Sequence, residues 1–225
     1  MAKSGTSRMT IVFEATQIMT KGFGTTLTSD SLSMFKNSSH AAAIWKRHTL
    51  AEFQNWIDRL PTANLPSTRM ILRPEDVRVA ISKVCKNHHM EMGPHLNSLI
   101  EDITSLTHIF CDVMTAPFVR LRLDRVTTNA CRKFHVDAIT TRLLCTYRGT
   151  GTQYGTSVCG KDPSNILTAP TGSPIMLRGT LWPKQPNTTV LHRSPPIEGT
   201  GETRLVLVLD PILDPGETDI NFIPS

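Results

Sequence analysis

The sequence predicts an α+β fold in which a helical first half packs against a β-sandwich or barrel formed by the second half. Hydrophobic residues recur at helical spacing before about residue 115 and at a spacing of two after it. The later segments are short and punctuated by Gly, Pro and Asn, which is typical of sandwiches and barrels rather than of βαβ units. With 225 residues, the chain can bury a sizeable core without disulfide or metal cross-links.

Two regions are predicted along the chain. Residues 1–48 are assigned to an N-terminal arm, because a stretch rich in Gly, Thr and Ser follows a single candidate strand at residues 9–15. Residues 49–225 are predicted to form a single domain. It would comprise helices over residues 49–115, a β-barrel core over 117–210 and a C-terminal tail over 211–225.

Helices are predicted between residues 49 and 115 from their start signals and their apolar spacing. The first begins with a capping box formed by Thr49 and Glu52 and ends before Pro61. The second begins at Pro74, where the acidic residues that follow suit the positive end of a helix dipole. The third runs over residues 94–114 and carries an apolar stripe. We expect these helices to pack on the outside of a sheet.

Beyond residue 117, hydrophobic and polar residues alternate in a way that predicts strands. The candidate strands are residues 119–124, 133–137, 139–147, 174–177, 188–192 and 204–209. The last of them is apolar throughout after Arg204, as expected for a central strand that is buried on both faces.

Composition excludes several classes of protein. The net charge of +5, from 24 basic and 19 acidic residues, could help to hold an anionic ligand but is not the dense basic stripe of nucleic-acid-binding proteins. The chain has no run of eighteen apolar residues that could span a membrane, and its first ten residues lack the apolar segment of a secretory signal. The five cysteines form no CxxC pair, which favours reduced thiols in a cytoplasmic protein.

Four residues in strand contexts suggest a metal site. Alternation places His135 and Asp137 on one face of a strand, and His192 closes another candidate strand. Two histidines and one carboxylate form the facial triad of non-haem Fe(II) oxygenases, which leaves open positions on the ion. Arg204, at the start of the last strand, could hold a distal carboxylate by a bidentate pair. The alternative is that His135 and Asp137 form a structural hydrogen bond while His192 lies in a surface turn.

Three further residues are candidates around this site. Arg142 and Tyr147 lie on the strand that follows the H-x-D segment, where either could contact a bound cosubstrate. Alternation points them to opposite faces, and we favour Tyr147 as a hydroxyl donor to the bound acid. Trp182 could line the substrate pocket, with a rim or core aromatic as the alternative interpretation.

Several strings in the second half resemble a bacterial family of unassigned function, defined as a domain of unknown function. The strings are residues 131–137 (CRKFHVD), 142–152 (RLLCTYRGTGT), 176–183 (MLRGTLWP), 191–196 (LHRSPP) and 204–210 (RLVLVLD). The match covers about residues 117–210, with a looser helical match upstream. The resemblance identifies a family without assigning its chemistry. It also implies a link with zinc homeostasis, which keeps zinc as an alternative metal.

The same strings are similar, less specifically, to the Fe(II)/2-oxoglutarate dioxygenase superfamily. Its pattern is H-x-D, a distal His and an Arg about ten residues further on, within a double-stranded β-helix, a jelly-roll or cupin-like fold. The resemblance implies Fe(II) bound by His135, Asp137 and His192, with the far carboxylate of 2-oxoglutarate held by Arg204. The superfamily often has R-x-S or R-x-T, whereas this chain has Val206 two residues after Arg204.

We therefore predict that residues 49–225 form the catalytic domain of a non-haem Fe(II)- and 2-oxoglutarate-dependent dioxygenase acting on a small-molecule or peptide substrate. Two alternatives stay open. One is a zinc-binding or metal-homeostasis protein on a cupin-like barrel, with zinc bound by Cys131 or Cys145 together with His135. The other is a cupin-type enzyme that does not use 2-oxoglutarate. Neither a membrane nor a nucleic acid is expected as a partner, and the sequence does not indicate an oligomeric state.

Overall fold

A computed structural model describes residues 23–26, 28–183 and 189–216 of the chain. The helices are α1 (Asp30–Ser33), α2 (Ala51–Arg59), α3 (Val77–Asn87) and α4 (Pro94–Met114), with short 3-10 turns at Phe35–Asn37, Thr62–Asn64 and Pro74–Asp76. The strands are β1 (Phe23–Thr26), β2 (Ala42–Trp45), β3 (Thr68–Leu72), β4 (Phe118–Val126), β5 (Thr141–Arg148), β6 (Gln153–Thr156), β7 (Leu167–Thr168), β8 (Ile175–Arg178), β9 (Val190–Arg193) and β10 (Arg204–Ile212).

The described strands form two sheets that face each other. The larger sheet has the order β1-β2-β8-β5-β10-β4-β3 and the smaller has the order β7-β6-β9. Pairing is antiparallel except between β1 and β2, which run parallel. The apolar strand β10 is hydrogen-bonded on both sides, to β5 and to β4, as its sequence predicts.

Hydrophobic cores lie on both faces of the larger sheet. On the helix face, the apolar stripes of α2, α3 and α4 pack against alternate strand residues such as Leu121, Leu143 and Leu207. On the inter-sheet face, residues of the larger sheet such as Leu144 and Val206 pack against the smaller sheet. Because side chains alternate along a strand, each residue of β5 and β10 belongs to one face or the other.

The predicted fold class is confirmed. Two facing sheets form the double-stranded β-helix core, and the helices cover one side of it. Helix α4 spans the predicted residues 94–114. The predicted capping box is wrong, because the N-cap residue of α2 is Leu50 and Thr49 Oγ1 contacts Gln54 Oε1 at 3.3 Å. Of the helices within the described ranges, none has both the length and the apolar character needed to cross a bilayer.

Several short elements differ from the sequence prediction. Residues 23–26 and 42–45, placed in the arm by their composition, form β1 and β2 in the larger sheet. Residues 68–72 form β3 at the opposite edge. Strands this short carry too few alternations to be distinguished from loop. Residues 133–137 are not a strand, and the candidate strand at residues 9–15 lies outside the described residues.

Candidate metal centre

A backbone bridge brings the two candidate histidines side by side. The amide of His135 donates to the carbonyl of His192, and the amide of His192 donates to the carbonyl of His135, each over 3.0 Å. His192 belongs to β9, where it is paired with Tyr154 of β6. The two imidazole centroids lie 4.5 Å apart. This single bridge, rather than the predicted strand, aligns the H-x-D segment with the smaller sheet.

The carboxylate of Asp137 lies between the two imidazoles. Its Oδ1 is 3.4 Å from His135 Nε2, and its Oδ2 is 3.1 Å from His192 Nε2. One ligand atom from each of the three residues lies within 4.8 Å of the others. Oδ2 is buried and forms no hydrogen bond with the described residues, although His192 Nε2 is in ion-pair range of it. A buried oxygen without a partner is costly unless a cation or a ligand satisfies it.

The end of β8 holds the backbone of the H-x-D segment in place. The amide of Thr180 donates to the Asp137 carbonyl over 2.9 Å, and the amide of Leu181 donates to the Ile139 carbonyl over 3.0 Å. A Cβ atom at Gly179 would lie 2.0 Å from the Ile139 carbonyl oxygen and 2.7 Å from that of Asp137. Glycine is therefore needed at this position for the two segments to approach.

The protonation of these side chains suits a divalent cation. His135 Nδ1 lies 2.8 Å from the carbonyl of Lys133, which can only accept, so Nδ1 carries the hydrogen and a neutral ring presents the Nε2 lone pair to Asp137. The contact with Asp137 raises the pKa of His135, whereas burial lowers the pKa of His192. Burial acts to raise the pKa of Asp137, but its contacts with both histidines and the charge of Arg142 leave that pKa well below its ordinary value. Asp137 is therefore ionised at neutral pH, as metal binding requires.

Arg142 clamps the carboxylate of Asp137 from β5. Its Nη1 lies 2.8 Å from Asp137 Oδ1, and its Nε and Nη2 form a bidentate pair with Asp210 at 2.7 and 2.9 Å. Asp210 is itself buried on β10. The clamp engages Oδ1 of Asp137 and leaves Oδ2 facing His192. Because two protein carboxylates engage its guanidinium, contact between Arg142 and a cosubstrate stays a prediction.

Arg204 is buried at the start of β10 with neutral partners. Its Nε donates to the Thr150 carbonyl over 2.6 Å, its Nη1 to Ser194 Oγ over 2.6 Å, and its Nη2 to Thr146 Oγ1 over 3.4 Å. Within the described residues, no carboxylate forms an ion pair with it. Burial lowers the pKa of Arg204 to about 10, against the opposing charge of Glu202. A buried guanidinium of this kind favours the binding of an anion.

The hydroxyl groups around Arg204 come from residues that the sequence did not indicate. Val206 stands where the dioxygenase pattern often has Ser or Thr, but its cross-strand partner on β5 is Thr146, whose hydroxyl reaches Arg204. Ser194 follows the distal histidine by two residues and supplies the second hydroxyl. Asp210 was also missed. A single sequence contains no signal for Thr146 or Asp210, because their roles depend on strand register.

Tyr147 does not lie with the other candidates. It is buried on the helix face, where its hydroxyl donates to Asp102 Oδ2 over 2.7 Å. The preference for Tyr147 as a donor to a bound acid is therefore corrected, because Arg142 is the member of the pair that faces the histidines. Cys145 shares the helix face, with its Sγ 3.7 Å from Arg47 Nη2, so it does not form a zinc site with the H-x-D histidine.

The remaining candidates lie around the cluster rather than in it. Trp182 is partly buried, packs against Phe35 with ring centroids 5.6 Å apart, and has the Arg178 guanidinium 4.5 Å from its ring. These contacts do not test a pocket role, which stays a prediction. Cys131 is exposed, and its carbonyl accepts the amide of Ser194. The group of possible metal ligands found among the described residues contains no cysteine.

Solved structures with similar folds include oxygenases. Dioxygenase for auxin oxidation 1 from Arabidopsis thaliana, in a binary complex with 2-oxoglutarate, is similar with a TM-score of 0.50 and 10% identity over 85% of this chain and 90% of that chain. A rice dioxygenase for auxin oxidation has a TM-score of 0.45 and 9% identity over 82% and 78% of the two chains. A 2OG-Fe(II) oxygenase family oxidoreductase from Burkholderia pseudomallei has a TM-score of 0.42 and 14% identity over 81% and 90%. The Arabidopsis comparison shows a shared fold.

A family match covers most of the chain. No curated protein sequence matches it significantly. Residues 27–210, which include every residue of the candidate centre, match a family described as protein of unknown function, DUF1826. The predicted resemblance to a domain of unknown function is thereby confirmed, and the chain belongs to the DUF1826 family.

Proposed function

We propose that this protein is a non-haem Fe(II)- and 2-oxoglutarate-dependent oxygenase. The observation that carries the proposal is the convergence of one ligand atom from each of His135, Asp137 and His192 within 4.8 Å of one another. Two imidazoles and one carboxylate suit Fe(II) and leave three positions open on an octahedral ion. The buried, unpartnered Oδ2 of Asp137 fits a cation at this position.

Arg204 supports 2-oxoglutarate as the cosubstrate. Its guanidinium is buried on the inter-sheet face and carries hydroxyl partners, Ser194 and Thr146, that could donate to the same carboxylate. Ser194 lies two residues beyond His192, just past the end of β9, so the cation and anion positions adjoin along the chain. Arg142 could orient a ligand in any metal-binding protein, but a buried Arg204 with neutral partners favours a site that also binds an anion.

The side chains around the centre would have distinct tasks. When bound, Fe(II) and 2-oxoglutarate would supply oxidation of a substrate C–H bond by O₂, coupled to decarboxylation of the cosubstrate. The Lys133 carbonyl fixes the ring orientation of His135, and Arg142 fixes Asp137. Apolar inter-sheet residues such as Leu144 and Val206 would exclude water from the space beside the centre.

The test is an anaerobic titration of the metal-free protein with Fe(II) and 2-oxoglutarate, following the weak visible absorption band of the chelate. We expect the band in the wild type and its loss in His135→Ala. Arg204→Met should weaken 2-oxoglutarate binding by about 30-fold or more, the loss expected for a buried charge-assisted contact. Arg125→Gln is the matched control, because Arg125 is exposed and donates to the Thr62 and Ala63 carbonyls.

Two results would overturn the proposal. One is the absence of the band in a folded wild-type protein that instead binds zinc tightly at His135, Asp137 and His192, which would establish the zinc-binding alternative. The other is Fe(II) binding that is unaffected by 2-oxoglutarate and equal in wild type and Arg204→Met, which would establish a cupin-type site without the cosubstrate. The absorption band should be retained in Arg125→Gln, which would show that loss of an unrelated surface arginine does not affect 2-oxoglutarate binding.

A further inference from the structure

A row of arginines crosses the sheet beside the candidate centre. On β4, Val119, Leu121 and Leu123 are buried against the helices, so Arg120 and Arg122 point to the opposite face. In the register between β3 and β4, Arg69 is paired directly with Arg122 and points to the same face. We call Arg69, Arg120 and Arg122 the arginine row.

The arginine row leads to the candidate metal ligands through strand register. Arg120 is paired across β4 and β10 with Asp210, which forms the bidentate pair with Arg142. Arg142 in turn contacts Asp137. Because neighbouring strands are about 4.8 Å apart, the backbone of Arg120 lies about 10 Å from that of Arg142, which is the reach of a small organic molecule.

This part of the sheet is beyond the area that the smaller sheet covers. The larger-sheet residues packed against the smaller sheet belong to β2, β5, β8 and β10, and none of the described residues in that core comes from β3 or β4. Ile71, which points to the same face as Arg69, is 43% exposed, and the side chain of Asp124 is 40% exposed. Arg69 is exposed and Arg122 is partly exposed, whereas Arg120 is buried, so a ligand could reach the row from solvent at Arg69 and Arg122.

The local charges make an anion the complementary ligand. Arg69 and Arg122 carry like charges in directly opposed positions, and the single carboxylate of Asp124 acts on both of them. Arg122 Nε is buried and has no hydrogen-bond partner, and its ion pair with Asp124 is long, at 3.8 Å. A carboxylate or phosphate bound here would satisfy the Arg122 Nε donor with a charge-assisted hydrogen bond.

We propose that the arginine row binds the carboxylate or phosphate group of the substrate, with Arg122 as its principal donor, while the rest of the substrate extends toward His135, Asp137 and His192. The inference rests on the proposed function, because it takes the centre as the place of reaction. It assigns the substrate to the class of small organic anions. It also makes Arg122 a specificity-determining residue about two strands away from the clamp at Arg142.

The test uses the metal-free, ¹⁵N-labelled full chain, titrated at low ionic strength with inorganic phosphate and separately with benzoate. Arginine side-chain Nε–H signals report which guanidinium binds the anion. We expect the Arg122 signal to move and the Arg125 signal, on the other face of the same strand, to stay. Tighter binding of phosphate would indicate a phosphate-bearing substrate and tighter binding of benzoate a carboxylate, and both results support the proposal.

Two variants provide the matched comparison. Arg122→Gln should weaken binding of the preferred anion by about tenfold or more, because a charge-assisted contact is lost, while Arg125→Gln should bind as the wild type does. The midpoint of thermal unfolding should be close to that of the wild type in Arg122→Gln, since the substitution removes both the like charge opposite Arg69 and the long ion pair with Asp124. Arg69→Gln, at an exposed position, provides a second variant of the row that is expected to fold and to bind more weakly.

Three outcomes would overturn the inference. Equal movement of all arginine signals, with equal affinity in Arg122→Gln and wild type, would show nonspecific ion binding. Movement confined to Arg204 would show that the anion occupies the proposed cosubstrate position alone. An absence of binding to either anion would leave the row without a ligand. Because the titration contains no metal, each result is independent of whether the iron titration succeeds.

Discussion

The two faces of the larger sheet hold two buried arginine–carboxylate groups that differ in how completely they are satisfied. On the helix face, Arg47 forms a bidentate pair with Asp102 at 2.5 and 2.6 Å and donates its Nε to the Gly172 carbonyl. The Tyr147 hydroxyl donates to the same carboxylate over 2.7 Å. Each charge in this group has an opposite charge from the protein itself, so the group has no need of a ligand.

On the inter-sheet face, the protein does not supply a partner for every buried charged or polar group. Among the described residues, Asp137 Oδ2 is buried without a hydrogen bond, and the buried guanidinium of Arg204 has only neutral hydrogen-bond partners. Asp137 is paired with Arg142 through Oδ1, so its penalty is that of one unsatisfied buried oxygen, and that of Arg204 is a buried charge. A bound cation and a bound anion would each remove one of these penalties. A structural group and a binding site can therefore contain the same charged residues. They differ in whether the protein itself supplies a partner for every buried charge and polar atom.

The largest effect on stability is expected on the helix face. Arg47→Met should lower the free energy of unfolding by about 3–5 kcal/mol, because it leaves the Asp102 carboxylate without its ion-pair partner. Denaturant unfolding of the metal-free protein measures this change. In the fraction that remains folded, metal affinity should equal that of the wild type. A large loss of metal affinity in folded Arg47→Met would show that the two faces are coupled and would invalidate the comparison.

The next effect concerns the clamp behind the metal ligands. Asp210→Asn removes one of the two charges that hold Arg142, and we expect metal affinity to fall by about 10–100-fold, as for other groups that orient a ligand. Titration with Co(II) in the absence of 2-oxoglutarate measures this affinity directly. Arg148→Gln is the control. Arg148 lies on β5 with Arg142, but it donates to the Leu60 carbonyl beside α2 and not to a carboxylate of the clamp. Equal affinities in all three proteins would limit Arg142 to a structural role.

A smaller effect is expected from pH. Contact with Asp137 raises the pKa of His135, and its Nε2 proton must leave before a metal binds. Metal affinity should therefore fall by up to about tenfold per pH unit as the pH drops below that pKa. The metal-free protein should respond in the opposite direction, because a raised histidine pKa adds stability below the unfolded value of about 6.5 and loses it as the pH rises through the folded value. Calorimetry in buffers of different ionisation enthalpy counts the released proton, and release of none would contradict this assignment.

The sequence predicted the parts of this arrangement that depend on local pattern. Helix α4 has a proline at its start and a long apolar stripe, and its predicted bounds match those observed. The apolar segment after Arg204 could only be a central strand, and it is hydrogen-bonded on both sides. The H-x-D spacing suggested a shared metal site for His135 and Asp137, although the segment is a loop held by one bridge to β9 and by hydrogen bonds from the end of β8.

The missed features depend on which segments meet in space. Alternation alone showed that Arg142 and Tyr147 face opposite sides, but the correct choice required knowing that the helices cover the face of Tyr147. Thr146 takes its place beside Arg204 through strand register and a β-bulge, which no local pattern encodes. The pairing of Arg69 with Arg122 also could not be predicted from the sequence. It depends on the register between β3 and β4, and the two positions are 53 residues apart along the chain.

The smallest effect is expected from the substitution that matches Arg47→Met on the opposite face. Arg204→Met removes three hydrogen bonds but also removes a buried charge that forms no ion pair with any described residue, so we expect the free energy of unfolding to stay within about 1 kcal/mol of wild type. Cys145 provides the readout, because burial raises its pKa to about 12 and its thiol should react at pH 8 only when the protein unfolds. Its labelling, measured by mass spectrometry, should be fast in Arg47→Met and near the wild-type rate in Arg204→Met, with exposed Cys159 as the internal standard. Equally fast labelling in both variants would mean that Arg204 is structural in the same sense as Arg47, and that its neutral partners satisfy it without an anion.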